Sequence, residues 1–204
     1  MALSTAYENN YLTEAEYLAA ELVSEEKHEY IDGHVYAMTG ASDDHNRITA
    51  NILREFGNHL KGMPCEAFMS DIKVRLGKDY VYPDVLVDCR DASADKYFAQ
   101  APLLIVEVLS KSTRKTDLTT KLLRYINLPS LLEYVVIDQE TTCVQILRKN
   151  KHWMSEFYFL GDKVNFEAID LTINVEDIYD RVDNEDLREF RLANAPISTG
   201  DSTE

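Results

Sequence analysis

The chain has 204 residues, 45% of them hydrophobic, which allows one domain with a sizeable core and leaves little room for a second. That composition excludes wholesale disorder, and no apolar run approaches the ~20 residues needed to cross a bilayer, so no membrane partner is expected. The net charge of −15 argues against a broad basic surface of the kind that grips phosphates. The acidity is uneven, however: residues 1–32 hold 8 acids and 1 base, and residues 176–204 hold 9 and 3. Between them the balance is nearly even, and Lys111, Arg114, Lys115, Lys121 and Arg124 are opposed locally by Asp117 alone. A basic face in the central region is therefore an open expectation. The first residues lack the basic and apolar stretches of a secretory signal, so the cytoplasm is the expected compartment. Cys65, Cys89 and Cys143 are scattered and odd in number, which argues against a disulfide or thiolate zinc site and for small core residues. The five histidines form no H-E-x-x-H, so a zinc protease is not indicated.

In chain order, Thr13-Glu14-Ala15-Glu16 predicts a capping box, with Leu12 and Tyr17 as a hydrophobic staple and a helix to about Val23. A hairpin is expected over His28–Met38, turning at Asp32-Gly33, a pair that tolerates positive φ. Ser42 or Asp43 caps a longer helix whose apolar face is Ile48, Ile52, Leu53, Phe56 and Leu60, ending at Gly62. Two strands follow, Glu66 to Leu76 and Tyr80 to Cys89, separated by the Gly77-Lys78-Asp79 turn. Leu103 to Leu109 is almost continuously apolar, the pattern of a central strand covered on both faces. A helix from about Thr116 to Leu128 is expected to bury Leu118, Leu122 and Ile126. Strands at Glu133–Asp138, Thr142–Leu147 and Trp153–Leu160 complete an α/β (α+β) arrangement, a central mixed sheet flanked by helices. One domain over residues 1–190 and a disordered tail over 191–204 are expected.

Glu107 breaks the pattern of its strand. A carboxylate inside Leu-Leu-Ile-Val-Glu-Val-Leu is costly to bury unless it is paired, protonated or bound to a metal. The alternative is a position at the sheet end, meeting water or a structural arginine. Pro83-Asp84 delivers a second carboxylate just ahead of the apolar run Val85-Leu86-Val87, although an acid at a strand entry is also a common turn cap. If the two strands are neighbours, the carboxylates converge on a hard-oxygen site suited to Mg²⁺. Asp117, Lys121 and Tyr125 fall at i, i+4 and i+8 of the next helix. They either return a lysine to that pocket or form a solvated surface pair.

Pro83-Asp84, then Ile105-Val106-Glu107-Val108-Leu109-Ser110, then Asp117-x-x-x-Lys121-x-x-x-Tyr125, then Glu133 to Asp138 resemble the Uma family ("putative restriction endonucleases") of the PD-(D/E)xK nuclease superfamily. The similarity spans about residues 10 to 180. It implies a restriction-endonuclease-like fold and a metal-dependent nuclease in which Asp84 and Glu107 hold Mg²⁺ or Mn²⁺ and Lys121 is catalytic. It also implies a nucleic-acid substrate, DNA being expected, and by analogy a homodimer. The superfamily lysine normally stands two residues after the strand acid, where this chain has Leu109, so the resemblance implies migration of that lysine to the helix. Glu29 resembles an accessory acid, His45 is similarly placed, and Asp117 and Tyr125 would support Lys121. The competing reading is a catalytically inactive nuclease fold that binds nucleic acid or a protein partner.

Overall fold

The structure, a computed structural model, describes residues 11–38, 40–89 and 95–194. The N-terminal expectations hold: Thr13 N–H donates to the Glu16 carboxylate at 2.8 Å while Glu16 N–H returns to Thr13 Oγ1, starting α1 (Glu14–Glu21). Tyr17 of α1 is fully buried against Leu12 and stacks on Tyr30, with ring centroids 4.8 Å apart. Strands β1 (His28–Ile31) and β2 (His34–Ala37) form the antiparallel hairpin. Asp32 at φ 51° and Gly33 at φ 81° occupy its two left-handed positions. Ser42 caps α2 (Asp43–His59), which buries Ile48, Ile52 and Phe56.

The two long strands expected next are four. β3 (Glu66–Met69) and β4 (Lys73–Leu76) are separated at Ser70, which has φ 44°, and β5 (Asp79–Val81) and β6 (Val85–Asp88) are separated at Tyr82-Pro83-Asp84. Met69 faces Val85 on one side of this double break and Val74 faces Val81 on the other. One strand therefore carries an extra residue across it, a bulge that redirects the hairpin. The outer part, β4 and β5, joins a five-stranded sheet ordered β2-β1-β5-β4-β7, with β7 at Phe98–Ala99. The inner part joins a six-stranded sheet ordered β11-β10-β9-β8-β6-β3. Its other members are β8 (Pro102–Leu109), β9 (Glu133–Asp138), β10 (Cys143–Arg148) and β11 (Ser155–Tyr158).

β8 and β9 run parallel, so a crossover must join them. It contains α3 (Arg114–Thr116), a π-helical turn (Asp117–Lys121) and α4 (Leu122–Tyr125) in unbroken succession. The expected buried stripe is corrected here. Leu118, Leu122 and Ile126 are only half-buried, whereas Asp117, Lys121 and Tyr125 are buried. The opposite face of the six-stranded sheet packs on α2, on the hairpin β12 (Lys163–Phe166) and β13 (Leu171–Asn174), and on α5 (Val175–Ile178). Helix α6 (Glu185–Ala193) follows. Arg191 to Ala193, expected to begin the tail, are helical, and residues 195–204 of that tail lie outside the described residues.

The cysteine reading is also corrected. Cys65 and Cys89 form a disulfide, and Cys143 is free and half-buried. Glu66 faces Asp88 where β3 pairs with β6, so the two cysteines flank the end of that ladder with Cα atoms 3.9 Å apart. The link depends on strand pairing across a separation of 24 residues, which cysteine spacing alone does not reveal. Among the described residues no helix is long and apolar enough to cross a membrane.

Candidate active site

Alternation along β8 sends Leu104, Val106 and Val108 into the core beneath α2, and Ile105, Glu107 and Leu109 to the face covered by the crossover helix. Glu107 is therefore interior, 3% exposed, and not at a solvated sheet end. Val85 pairs with Val106 in the β6–β8 ladder, so Asp84, immediately ahead of Val85, enters beside the Glu107 position. Asp84 Oδ2 accepts from the Val108 N–H at 2.7 Å, which fixes the carboxylate across the neighbouring strand. The break at Pro83 is what frees Asp84 from the ladder to turn this way.

The crossover helix delivers the cation. Lys121 Nζ lies 2.7 Å from Glu29 Oε1, 3.2 Å from Glu107 Oε1 and 3.2 Å from Asp117 Oδ1. Tyr125 OH donates to Glu107 Oε1 at 2.8 Å, and Tyr134 OH donates to the Asp117 carbonyl at 3.1 Å. A π turn has a wider circumference than an α turn, and such turns recur at functional sites. Here it carries both Asp117 and Lys121 on the covered side. His45, in the first turn of α2, places Nε2 3.3 Å from Asp84 Oδ2. Glu29 also accepts from the Tyr82 N–H at 3.1 Å. All seven residues picked out from the sequence thus belong to one connected cluster.

The charges in this cluster do not balance. Glu29, Asp84, Glu107 and Asp117 contribute four carboxylates, against the ammonium of Lys121 and the imidazole of His45. Burial pushes the Glu107 carboxyl well above its ordinary range; Lys121 pulls it back, while Asp117, Asp84 and Glu29 push it further up. Burial disfavours the Lys121 ammonium, yet Glu107, Glu29 and Asp117 outweigh it and hold the group well above the usual lysine range. Lys121 is therefore a permanent cation at neutral pH and a hydrogen-bond donor. Burial also works against a charged His45, but the hydrogen bond and field of Asp84 leave its pKa raised. Burial drives the Tyr125 and Tyr134 phenols far up, so both remain protonated donors.

Surplus buried negative charge favours a cation. Among the described residues no group of three or more His, Cys, Asp and Glu side chains is arranged to hold a metal by itself. The donor set that fits is smaller: Asp84 and Glu107, whose contacts named above all end on Oδ2 and Oε1. Their other oxygens, Oδ1 and Oε2, are the atoms to offer an ion, with water completing the shell as Mg²⁺ prefers. His45 Nδ1 is buried without a hydrogen-bond partner, so the cluster retains unspent polar capacity.

The family profile described as "Uma2: Putative restriction endonuclease" matches residues 14–176. The chain belongs to the Uma2 family. Two uncharacterised proteins of Synechocystis sp. are similar along most of their length. One is 36% identical over 174 residues, covering 82% of this chain and 91% of the relative. The other is 35% identical over 150 residues, covering 70% and 85%. A crystal structure titled as a "putative nuclease belonging to DUF820" from Anabaena variabilis superposes with a TM-score of 0.71 at 20% identity, covering 82% of this chain and 97% of the other. The chain thus shares its fold with that structure.

Sequence reading missed several supports of this Uma2 cluster. Arg124, one turn beyond Lys121, binds Asp79 and Asp32 at 2.6 Å each and ties the β1–β2 hairpin, with its Glu29, to the helix. Gln139 donates to the Leu109 carbonyl at 3.0 Å and accepts from Ser42 Oγ at 2.5 Å, joining the end of β8 to the cap of α2 just ahead of His45. The expected basic face is largely neutralised. Arg114 pairs with Asp138, Lys111 with Glu140 and Arg124 with two aspartates, while Lys121 is interior.

Proposed function

We propose that this Uma2 protein is a metal-dependent nuclease that hydrolyses phosphodiester bonds, with DNA as its substrate and Mg²⁺ or Mn²⁺ as its cofactor. One observation carries the reading. Two carboxylates face each other across neighbouring strands, beside a buried, permanently charged lysine, in a cluster whose negative charge exceeds its positive charge. Asp84 and Glu107 would hold the divalent ion. When bound, that ion supplies Lewis-acid polarisation of the scissile phosphate.

The protein's own groups divide the remaining work. Lys121 stays protonated, so it serves as a donor to charge developing on phosphorus and as an orienting group for water; it does not serve as a base. Asp117 and Glu29 hold the ammonium, and Tyr125 fixes the Glu107 oxygen that faces it. His45 steers Asp84 through Oδ2. The same crowding that raises the Glu107 pKa would favour a divalent ion held by Asp84 and Glu107. Two such sites in a homodimer would suit cleavage of both strands, an arrangement inferred by analogy.

Cleavage of supercoiled plasmid and of labelled single-stranded DNA and RNA tests the proposal, with wild type, Glu107→Ala and Lys121→Ala compared in Mg²⁺, Mn²⁺ and EDTA. The expected outcome is metal-dependent cutting of DNA that both variants lose. Wild-type protein that neither cuts any substrate nor binds either metal would instead establish an inactive nuclease fold.

A further inference from the structure

Three cationic side chains are buried among the described residues: Lys73, Lys121 and Arg148. Arg148 is met by Glu133 at 2.7 Å, Glu156 at 2.7 Å and Glu167 at 3.4 Å. Lys121 is met by three carboxylates. Lys73 differs: among the described residues it makes no ion pair. Its ammonium donates to Tyr82 OH at 3.3 Å and lies 5.4 Å from the centroid of the same ring. The carboxylate on the far side of that hydroxyl, Glu21, is already engaged. It accepts from Tyr82 OH at 2.8 Å and from the His28 N–H at 2.9 Å, and meets His28 Nδ1 at 3.1 Å. Burial consequently pulls Lys73 below the usual lysine range, only partly offset by Glu21 and Asp95.

An unpaired buried charge is expensive, and a chain with 36 acids has ample means to pair it. Lys73 opens β4 just past the double strand break, on the hairpin that also delivers Asp84. Tyr82 connects the two regions: its hydroxyl meets Lys73, and its backbone N–H donates to Glu29, which holds Lys121. A cation with no ion pair among the described residues thus lies one tyrosine away from the proposed catalytic cluster.

We propose that Lys73 anchors a backbone phosphate of the nucleic acid flanking the scissile bond, the phosphate supplying the ion-pair partner that no described residue provides. Lysine suits this role as a compact point charge. The inference rests on the nuclease reading and adds a contact outside its metal site.

The experiment is fluorescence anisotropy of a labelled oligonucleotide, duplex and single-stranded, titrated with the full chain in EDTA. The parent is Glu107→Gln, and potassium chloride is stepped from about 50 to about 200 mM. Adding Lys73→Gln should flatten the slope of log affinity against log salt by about 0.9 on duplex or about 0.7 on single strands. Lys73→Arg should retain the parent slope. Thermal unfolding is measured alongside: Lys73→Gln removes an uncompensated charge, so its midpoint should not fall. An unchanged slope with parental affinity overturns the anchor while leaving the nuclease reading intact. An unchanged slope with a lowered midpoint also overturns it, making Lys73 a structural cation. Absence of nucleic-acid binding by the parent, together with absence of cleavage by wild type, overturns both.

Discussion

Glu107 is 3% exposed and shares its surroundings with three other carboxylates, and burial and these neighbours together shift it towards its protonated form. Its folded pKa lies above the value of an unfolded glutamate. The associated stability is therefore complete below the unfolded pKa and is lost as pH rises through the folded one. In EDTA, wild-type stability should decline as pH climbs from about 5 into the alkaline range, and Glu107→Gln should flatten that decline. At the upper end the variant should melt about 2–4 °C higher, the shift that accompanies ~1 kcal/mol in a chain of this size. Calorimetry across that range checks the sign, and Mg²⁺ or Mn²⁺ should raise the midpoint of wild type only. Lys121→Met is predicted to act in the opposite direction. It strands Glu29 and Asp117, and should cost about 3–5 kcal/mol in urea unfolding near neutral pH, with partial recovery in acid. Asp84 and Glu107 were legible in the sequence because a carboxylate bordering or interrupting an apolar strand stands out against its neighbours. The bond between Glu29 and Lys121 was not, since it joins a hairpin to a distant helix, and only family resemblance singled out Glu29. Lys73 and Tyr82 gave no sign, because a lysine and a tyrosine near strand ends are ordinary until their partners are known.

Helical periodicity alone mistook the inward face of the crossover. Leu118, Leu122 and Ile126 form a credible apolar stripe, yet the stripe that turns inward is Asp117, Lys121 and Tyr125. A helix normally hides its apolar side, but here Glu107 and Glu29 attract the polar side, and the leucines settle at the margin of the core. The long strands were similarly overread. Alternation continues through Ser70 and Pro83, so the switch from one sheet to the other leaves only a proline as its trace. By contrast, the capping box, the Asp-Gly turn and the central strand were readable, because each is a local rule satisfied by adjacent residues. At this scale the Ser42–Gln139 connection invites a test of positioning. Gln139→Ala should lower kcat of the proposed nuclease about tenfold, equivalent to ~1.4 kcal/mol, with KM little changed. Ser42→Ala should do the same, and the double variant should be no worse than either single one. Steady-state kinetics on one oligonucleotide would decide, additive losses indicating two independent roles.

Across the whole molecule, the disulfide between Cys65 and Cys89 closes a loop of modest length in the unfolded chain. Loop-closure entropy assigns such a link about 3 kcal/mol. Replacing both cysteines with serine should lower stability by that order in urea unfolding, and dithiothreitol should do the same to wild type but not to the variant. Sequence could not reveal the bond, because the cysteines become neighbours only when β3 pairs with β6. The acidic ends have a consequence at this scale as well: on the nuclease proposal, a nucleic-acid substrate would gain little from long-range attraction. The hairpin that runs through both sheets has a mechanical meaning. Its two strands belong to the five-stranded sheet at one end and the six-stranded sheet at the other, and Asp84 sits at the crossing. The sheets are therefore joined by one continuous hairpin, with the carboxylate where it passes from one to the other. A nucleic acid docked on the outer sheet would reach Asp84 through the backbone of that one hairpin.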